Sequence, residues 1–347
     1  MDIILGVALI LAGFYMAWNI GANDLANAMG TSVGSKALTM KQVIILAAIF
    51  EFAGAVLFGA NVTKTVGKGI VSLDPIATID PTIIAVGMLG VILAAGSWIT
   101  VATLYRIPVS TTHSLIGSVL GFGLVCVLYG FISFSDIQWF SLLNIVASWL
   151  LSPLLGGIIA YVIFFIIRKK FLTEAKNVPD IEKKFVVVQV ITACFIAFAH
   201  GSNDVSNAIG PLYAVFDIYG WSGISGLGLT NTLLLLGGVG IVIGLATWGY
   251  KVIDTVGHQI TELTPTRGFA AEFSTAAIVL SNSFIGLPVS TTHTLVGAVI
   301  GVGLAGGLSS INLKVIRNIV TSWVITVPAA AIVSGIFFFV LSKIFLG

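Results

Sequence analysis

Two short strings carry the oxygen-bearing side chains that could hold ions, and each occurs twice. Gly21 to Gly30 reads G-A-N-D-L-A-N-A-M-G, and 180 positions later Gly201 to Gly210 reads G-S-N-D-V-S-N-A-I-G. Asn23, Asp24 and Asn27, with Asn203, Asp204 and Asn207, place a carboxylate and amide oxygens in apolar flanks. Hard oxygen donors of this kind suit a desolvated alkali cation. An Asp at the centre of a membrane helix costs about 3 kcal/mol on insertion scales, so it needs a partner. The flanking Gly21, Gly30, Gly201 and Gly210, followed by Pro211, predict local unwinding that frees backbone carbonyls as further ligands. The competing reading is a polar helix break that caps half-helices and joins the two copies. Recurrence of an unneutralised Asp in both copies favours cation ligation.

The second string, P-V-S-T-T-H, runs from Pro108 to His113 and returns letter for letter from Pro288 to His293. Proline followed by Ser and Thr at the head of an apolar run marks a helix start. A helix N-terminus offers free N–H groups and partial positive charge to an anion. Ser110, Thr111 and Thr112, with Ser290, Thr291 and Thr292, add neutral donors suited to a tetrahedral oxyanion; the alternative is that they cap a buried turn. His113 and His293 are read as orienting the loop. They join Glu51 and Glu272, each set in an apolar stretch, as candidates for coupling or gating. Those acids could bind a cation, relay a proton or accept interhelical hydrogen bonds. Arg106 is matched by Gly286 and reads as a charge at a pore mouth or interface. Gln42, Lys64 and Lys251 read as helix-end residues.

These strings need elements to position them, and composition says which. Of 347 residues 57% are hydrophobic and only 9% charged, with mean hydropathy +1.09. A wetted surface cannot be made from such a chain, so lipid must be its solvent. An all-α polytopic membrane protein follows, with roughly 10–12 inserted helices and broken helices, the segments flanking P-V-S-T-T-H being either two full spans or a re-entrant hairpin. Six of the sixteen basic residues fall between Arg168 and Lys184, which places that connector in the cytoplasm. Residues 3–20 read as a first retained helix, not a signal peptide. Cys126 and Cys194 read as packing residues. The net charge of +2 gives no sign of a nucleic-acid partner.

Further echoes fall between and after the two strings. T-V-G-x-x-I occurs at Thr65 to Ile70 and Thr255 to Ile260, and Ser148-Trp149 is matched by Ser322-Trp323, followed by Pro153 and Pro328. The chain therefore divides into a first repeat (1–167), a basic connector (168–184) and a second repeat (185–347). Segments 3–20, 42–60 and 140–167 are long enough to span, and 82–104 with 113–131 add an even number of crossings. An odd total inverts the second repeat relative to the first and puts both termini outside. The two strings also complement each other electrostatically. Carrying a divalent oxyanion against 100 mV costs about twice 2.3 kcal/mol, which two co-transported monovalent cations cancel.

G-A-N-D-L-A-N-A-M-G-T-S-V-G-S-K-A-L-T, H-G-S-N-D-V-S-N-A-I-G-P and the doubled P-V-S-T-T-H resemble the signatures of the PiT family of inorganic phosphate transporters. The resemblance implies a phosphate symporter of inverted repeats in the plasma or inner membrane, often a homodimer. Sodium drives many members and protons others, and some relatives carry sulfate. It also implies that the paired Asn/Asp strings form the cation region and the Ser-Thr-Thr triplets the phosphate region. Glu51 and Glu272 stand where the family has functionally sensitive acids. Sodium and phosphate are thus the expected ligands, with no enzyme cofactor, and the repeats are expected to rock about a midplane site. A channel would call for a ring of like charges, and an enzyme for a motif such as H-E-x-x-H or G-x-S-x-G; neither is present in the sequence. With Cys126 and Cys194 replaced, a cysteine at Lys176 should react with impermeant reagents only from the cytoplasmic side, and one at Asp2 only from outside. Labelling of both from one face contradicts the inversion.

Overall fold

In lipid every backbone N–H and C=O must find a partner within the protein, and helices meet that demand locally. The computed structural model describes residues 1–253, 263–307 and 312–347; the second T-V-G-x-x-I copy, Thr255 to Ile260, lies outside them. Among the described residues twelve α-helices follow in order: α1 Ile3–Gly34, α2 Met40–Phe58, α3 Ala60–Lys68, α4 Asp74–Ile79, α5 Pro81–Leu104 and α6 Thr111–Leu128. Then come α7 Trp139–Ile167, α8 Val178–Ile218, α9 Gly228–Trp248, α10 Pro265–Phe284, α11 Thr291–Gly306 and α12 Leu313–Phe345. Among the described residues eight helices are long and apolar enough to cross a membrane, with α11 a shorter apolar helix.

Their starts are written in the sequence. Asp2 accepts from the Ile4 N–H ahead of α1, and Thr39 with Gln42 forms a capping box on α2. Asp80 caps α5, whose first residue is Pro81. Ser110 and Ser290 cap α6 and α11, as the P-V-S-T-T-H strings predict. Much of the basic connector is helical: Arg168–Leu172 continues α7 as a π-turn, and α8 begins at Val178.

The expected unwinding at the Asn/Asp strings does not occur. Helix α1 runs unbroken through Gly21–Gly30, and α8 runs through Gly201–Gly210 and past Pro211 to Ile218. The glycines serve close helix crossing instead. A Cβ on Gly21 would lie 2.0 Å from the Ile241 carbonyl oxygen on α9, and one on Gly201 would lie 2.0 Å from that of Glu51 on α2. The breaks fall elsewhere, in the extended segments that join α5 to α6 and α10 to α11.

Nor do the two halves form separate lobes. Helix α7 packs on α11 and α10 of the other half, and α12 packs on α6 and α5. Helix α2 lies against α8, and α9 against α1. Rocking of the sequence halves as two bodies would have to break all of these contacts. Any moving unit must therefore combine helices from both halves.

Candidate ion-binding site

Asp24 stands about 32 Å along α1 at 1.5 Å per residue, far from the helix start and about 15 Å from its end. Asp204 occupies the matching place on α8. Both are fully buried, and the N-termini of α6 and α11 are brought to them by paired bonds. Asn23 and Asn203 do the holding. The amide oxygen of Asn23 accepts from the Val109 N–H at 3.4 Å, and its Nδ2 donates to Thr103 Oγ1 at 2.9 Å and the Ile107 carbonyl at 3.3 Å. Asn203 repeats this with the Val289 N–H at 3.2 Å, Ser283 Oγ at 3.1 Å and the Leu287 carbonyl at 3.2 Å. The oxygens of these two asparagines therefore face backbone, not the carboxylates.

The threonines reach the acids. Thr111 donates to Asp24 Oδ2 at 2.9 Å, and Thr291 to Asp204 Oδ2 at 2.8 Å. Thr112 crosses to the Val289 carbonyl at 3.0 Å, and Thr292 to the Val109 carbonyl at 3.3 Å. The second Asn of each string joins the halves as well. Asn27 Nδ2 donates to Asp24 Oδ1 and Thr292 Oγ1, both at 2.7 Å. Asn207 Nδ2 donates to Asp204 Oδ1 and Thr112 Oγ1, both at 3.1 Å. The Oδ1 atoms of Asn27 and Asn207 are buried without a hydrogen-bond partner. A buried, unpaired amide oxygen beside a carboxylate is a ready cation ligand.

Ser110 and Ser290 are occupied otherwise, accepting from the His113 and His293 N–H groups at 3.1 and 3.2 Å. The N–H groups of Thr111 and Thr112, and of Thr291 and Thr292, precede the first intrahelical bonds, which begin at Ser114 and Thr294. Two helix N-termini thus meet with their donors available to an anion. The histidine rings face one another across the halves at 4.3 Å between centroids. Trp149 lies on His113 at 3.8 Å and Trp323 on His293 at 3.5 Å, so the Ser-Trp echo and the histidines form one four-ring column, buried except for the half-buried Trp323. Arg106 is exposed, with its backbone in the left-handed region (φ 58°) where the second half has Gly286.

The two glutamates differ in surroundings. Glu272 is enclosed by donors from Thr31, Ser32, Gln189 and Thr192 at 2.6–3.0 Å, none of them in the paired strings. Glu51 adjoins the acids through His200, a residue that the repeat pattern overlooks because its counterpart is Ile20. His200 Nε2 lies 2.8 Å from Asp204 Oδ2 and 3.7 Å from Asp24 Oδ2, and Nδ1 lies 3.4 Å from Glu51 Oε2. Asp24, His200 and Asp204 each offer a ligand atom within 4.8 Å of the others. The histidine directly ahead of the second Asn/Asp string was the available signal.

A polytopic helical bundle whose buried carboxylates meet two helix N-termini has the construction of a membrane transporter. The phosphate transporter family matches residues 20–334. A Pyrococcus furiosus protein that carries the name of a phosphate permease is 41% identical, across 95% of this chain and 94% of its own length. The chloroplastic inorganic phosphate transporter 2-1 of Arabidopsis thaliana is 39% identical, across 98% of this chain and 73% of its own. A solved structure described as the sodium-dependent phosphate transporter superposes with a TM-score of 0.87 at 37% identity, covering 99% of this chain and all of its own. The chain belongs to the phosphate transporter family.

Because Thr112 and Thr292 lie where the two halves cross, replacing either by Ala should weaken phosphate binding by about 1–3 kcal/mol. Sodium binding measured without phosphate should change much less. Phosphate affinity unaltered in both variants returns these hydroxyls to a capping role.

Proposed function

We propose that the chain imports inorganic phosphate together with sodium ions by alternating access, with the Asp24–Asp204 cluster as the coupling site. The observation that carries this reading is the reciprocal bonding of the two strings: each Asp is bonded by a Thr at a helix N-terminus, and each Asn of the next turn bonds the other half's Thr. Cation ligands and anion donors are thus one connected network. Sodium would be held by Asp24 and Asp204 with Asn27 Oδ1 and Asn207 Oδ1. Phosphate would take the N–H groups and hydroxyls of Thr111, Thr112, Thr291 and Thr292, with Ser110 and Ser290 fixing the helix starts.

Charge explains why the ligands must travel together. Two buried carboxylates and a divalent anion cannot share a lipid-immersed site without added cations. Bound sodium provides that neutralisation, and phosphate in turn keeps sodium from leaving, since coupling between two sites is reciprocal. The same reading takes the halves as inverted repeats with the basic connector cytoplasmic, both termini outside, and the protein in the cell membrane as a homodimer.

Asp24→Asn and Asp204→Asn keep size and one oxygen ligand but remove the charge. Each should raise the sodium concentration needed for half-maximal phosphate binding, and saturating sodium should partly restore affinity. The check is a sodium titration of phosphate binding on purified variants whose elution profile and unfolding temperature match the parent. Wild-type sodium dependence in both well-folded variants contradicts the assignment.

A further inference from the structure

The network around the two acids is close to symmetric, and its main departure, His200, separates the half-sites. An ionised carboxylate has about four lone-pair positions. On Asp204, Asn207 donates to Oδ1 at 3.1 Å and Thr291 to Oδ2 at 2.8 Å, with the Thr112 hydroxyl, shared with the Val289 carbonyl, at 3.4 Å. His200 Nε2 crowds Oδ2 as an ion-pair contact at 2.8 Å, neither ring nitrogen being aligned for a hydrogen bond. Asp24 receives only Asn27 at 2.7 Å and Thr111 at 2.9 Å, with His200 farther off at 3.7 Å. The part due to His200 follows from sequence, because Ile20 stands where the second half has His200. A second observation concerns where the imidazole could go. Both carboxylate oxygens of Glu51 are buried without a hydrogen-bond partner, and Nδ1 of His200 already lies 3.4 Å from one of them. Buried polar atoms are rarely left so.

Resting on the sodium reading above, we propose that His200 makes the two cation half-sites unequal. Asp24 takes the first, tighter sodium ion. Asp204 takes the second only when the imidazole leaves its Oδ2 and turns toward Glu51. In this scheme Glu51 is a positioning residue that acts through His200, and it touches neither ion. The order of loading is then built into the fold: the half-site of α1 fills first, and that of α8 completes the set.

Binding of radioactive sodium to the purified full chain in phosphate-free buffer tests this. The parent should show two steps separated by about tenfold or more in Kd. Asp24→Asn should shift the tighter step to higher sodium and Asp204→Asn the weaker one. His200→Ile with Glu51→Gln installs the first half's residue and leaves no unpaired buried acid. This pair should narrow the gap by about fivefold or more, through tightening of the weaker step. Glu51→Gln alone removes the charged acceptor and should move that step the other way, weakening it while the tight step stays put. A purely structural role gives no such opposed shifts. If the double variant does not fold, the direction given by Glu51→Gln decides. Equal steps in the parent, a shift of the tighter step on Asp204→Asn, or a weaker step unmoved by either His200 or Glu51 change overturns the inference while leaving sodium coupling intact. No sodium binding by the parent overturns both.

Discussion

Two carboxylates set deep in a lipid-immersed bundle impose most of what this structure does. Water cannot reach Asp24 or Asp204, both fully buried, and the apolar surroundings give them no solvation. Each needs donors from within the protein. The donors come from two helix N-termini, which is why α6 and α11 must start inside the protein and not at its surface. Those starts in turn require extended segments between α5 and α6 and between α10 and α11. Asn23 and Asn203 hold these segments by their backbone. Glycine at positions 21 and 201 then lets α9 and α2 close over the acids at backbone distance.

The same constraint governs how the halves combine. Each acid draws a threonine from its own half, while the next threonine and asparagine bond across. Long terminal helices of each half pack on the hairpin of the other. The result is a shared centre with interleaved walls. Access can alternate only if groups of helices drawn from both halves move against one another. The Trp149–His113–His293–Trp323 column, which joins α7, α6, α11 and α12, marks where the two halves bear on each other.

Much of this was legible because the chain says it twice. The 180-residue offset pairs Asp24 with Asp204 and Thr111 with Thr291, and the structure bonds them in those pairs. The Pro-Val-Ser start of α6 and α11 follows from capping chemistry alone. The unwinding expected at Gly21 and Gly201 is absent because glycine favours both loose backbone and close helix contact, and only tertiary packing distinguishes them. That Asn23 and Asn203 turn their oxygens to the Val109 and Val289 N–H groups is not legible in sequence, because spacing does not encode a side chain's direction. His200 is hidden for the opposite reason: it breaks the repeat, with Ile20 at the matching position. Its partner Glu51 looked isolated in sequence since the contact spans two helices.

Coupling of phosphate entry to sodium is the claim on which the rest converges. Its most direct test is uptake of labelled phosphate into proteoliposomes containing the purified chain, under an imposed sodium gradient, an imposed proton gradient or none. An inward sodium gradient should drive phosphate above its external concentration, and removal of sodium should abolish that accumulation at any pH gradient. Accumulation that follows the proton gradient without sodium, or equilibration that needs no gradient, would contradict the account.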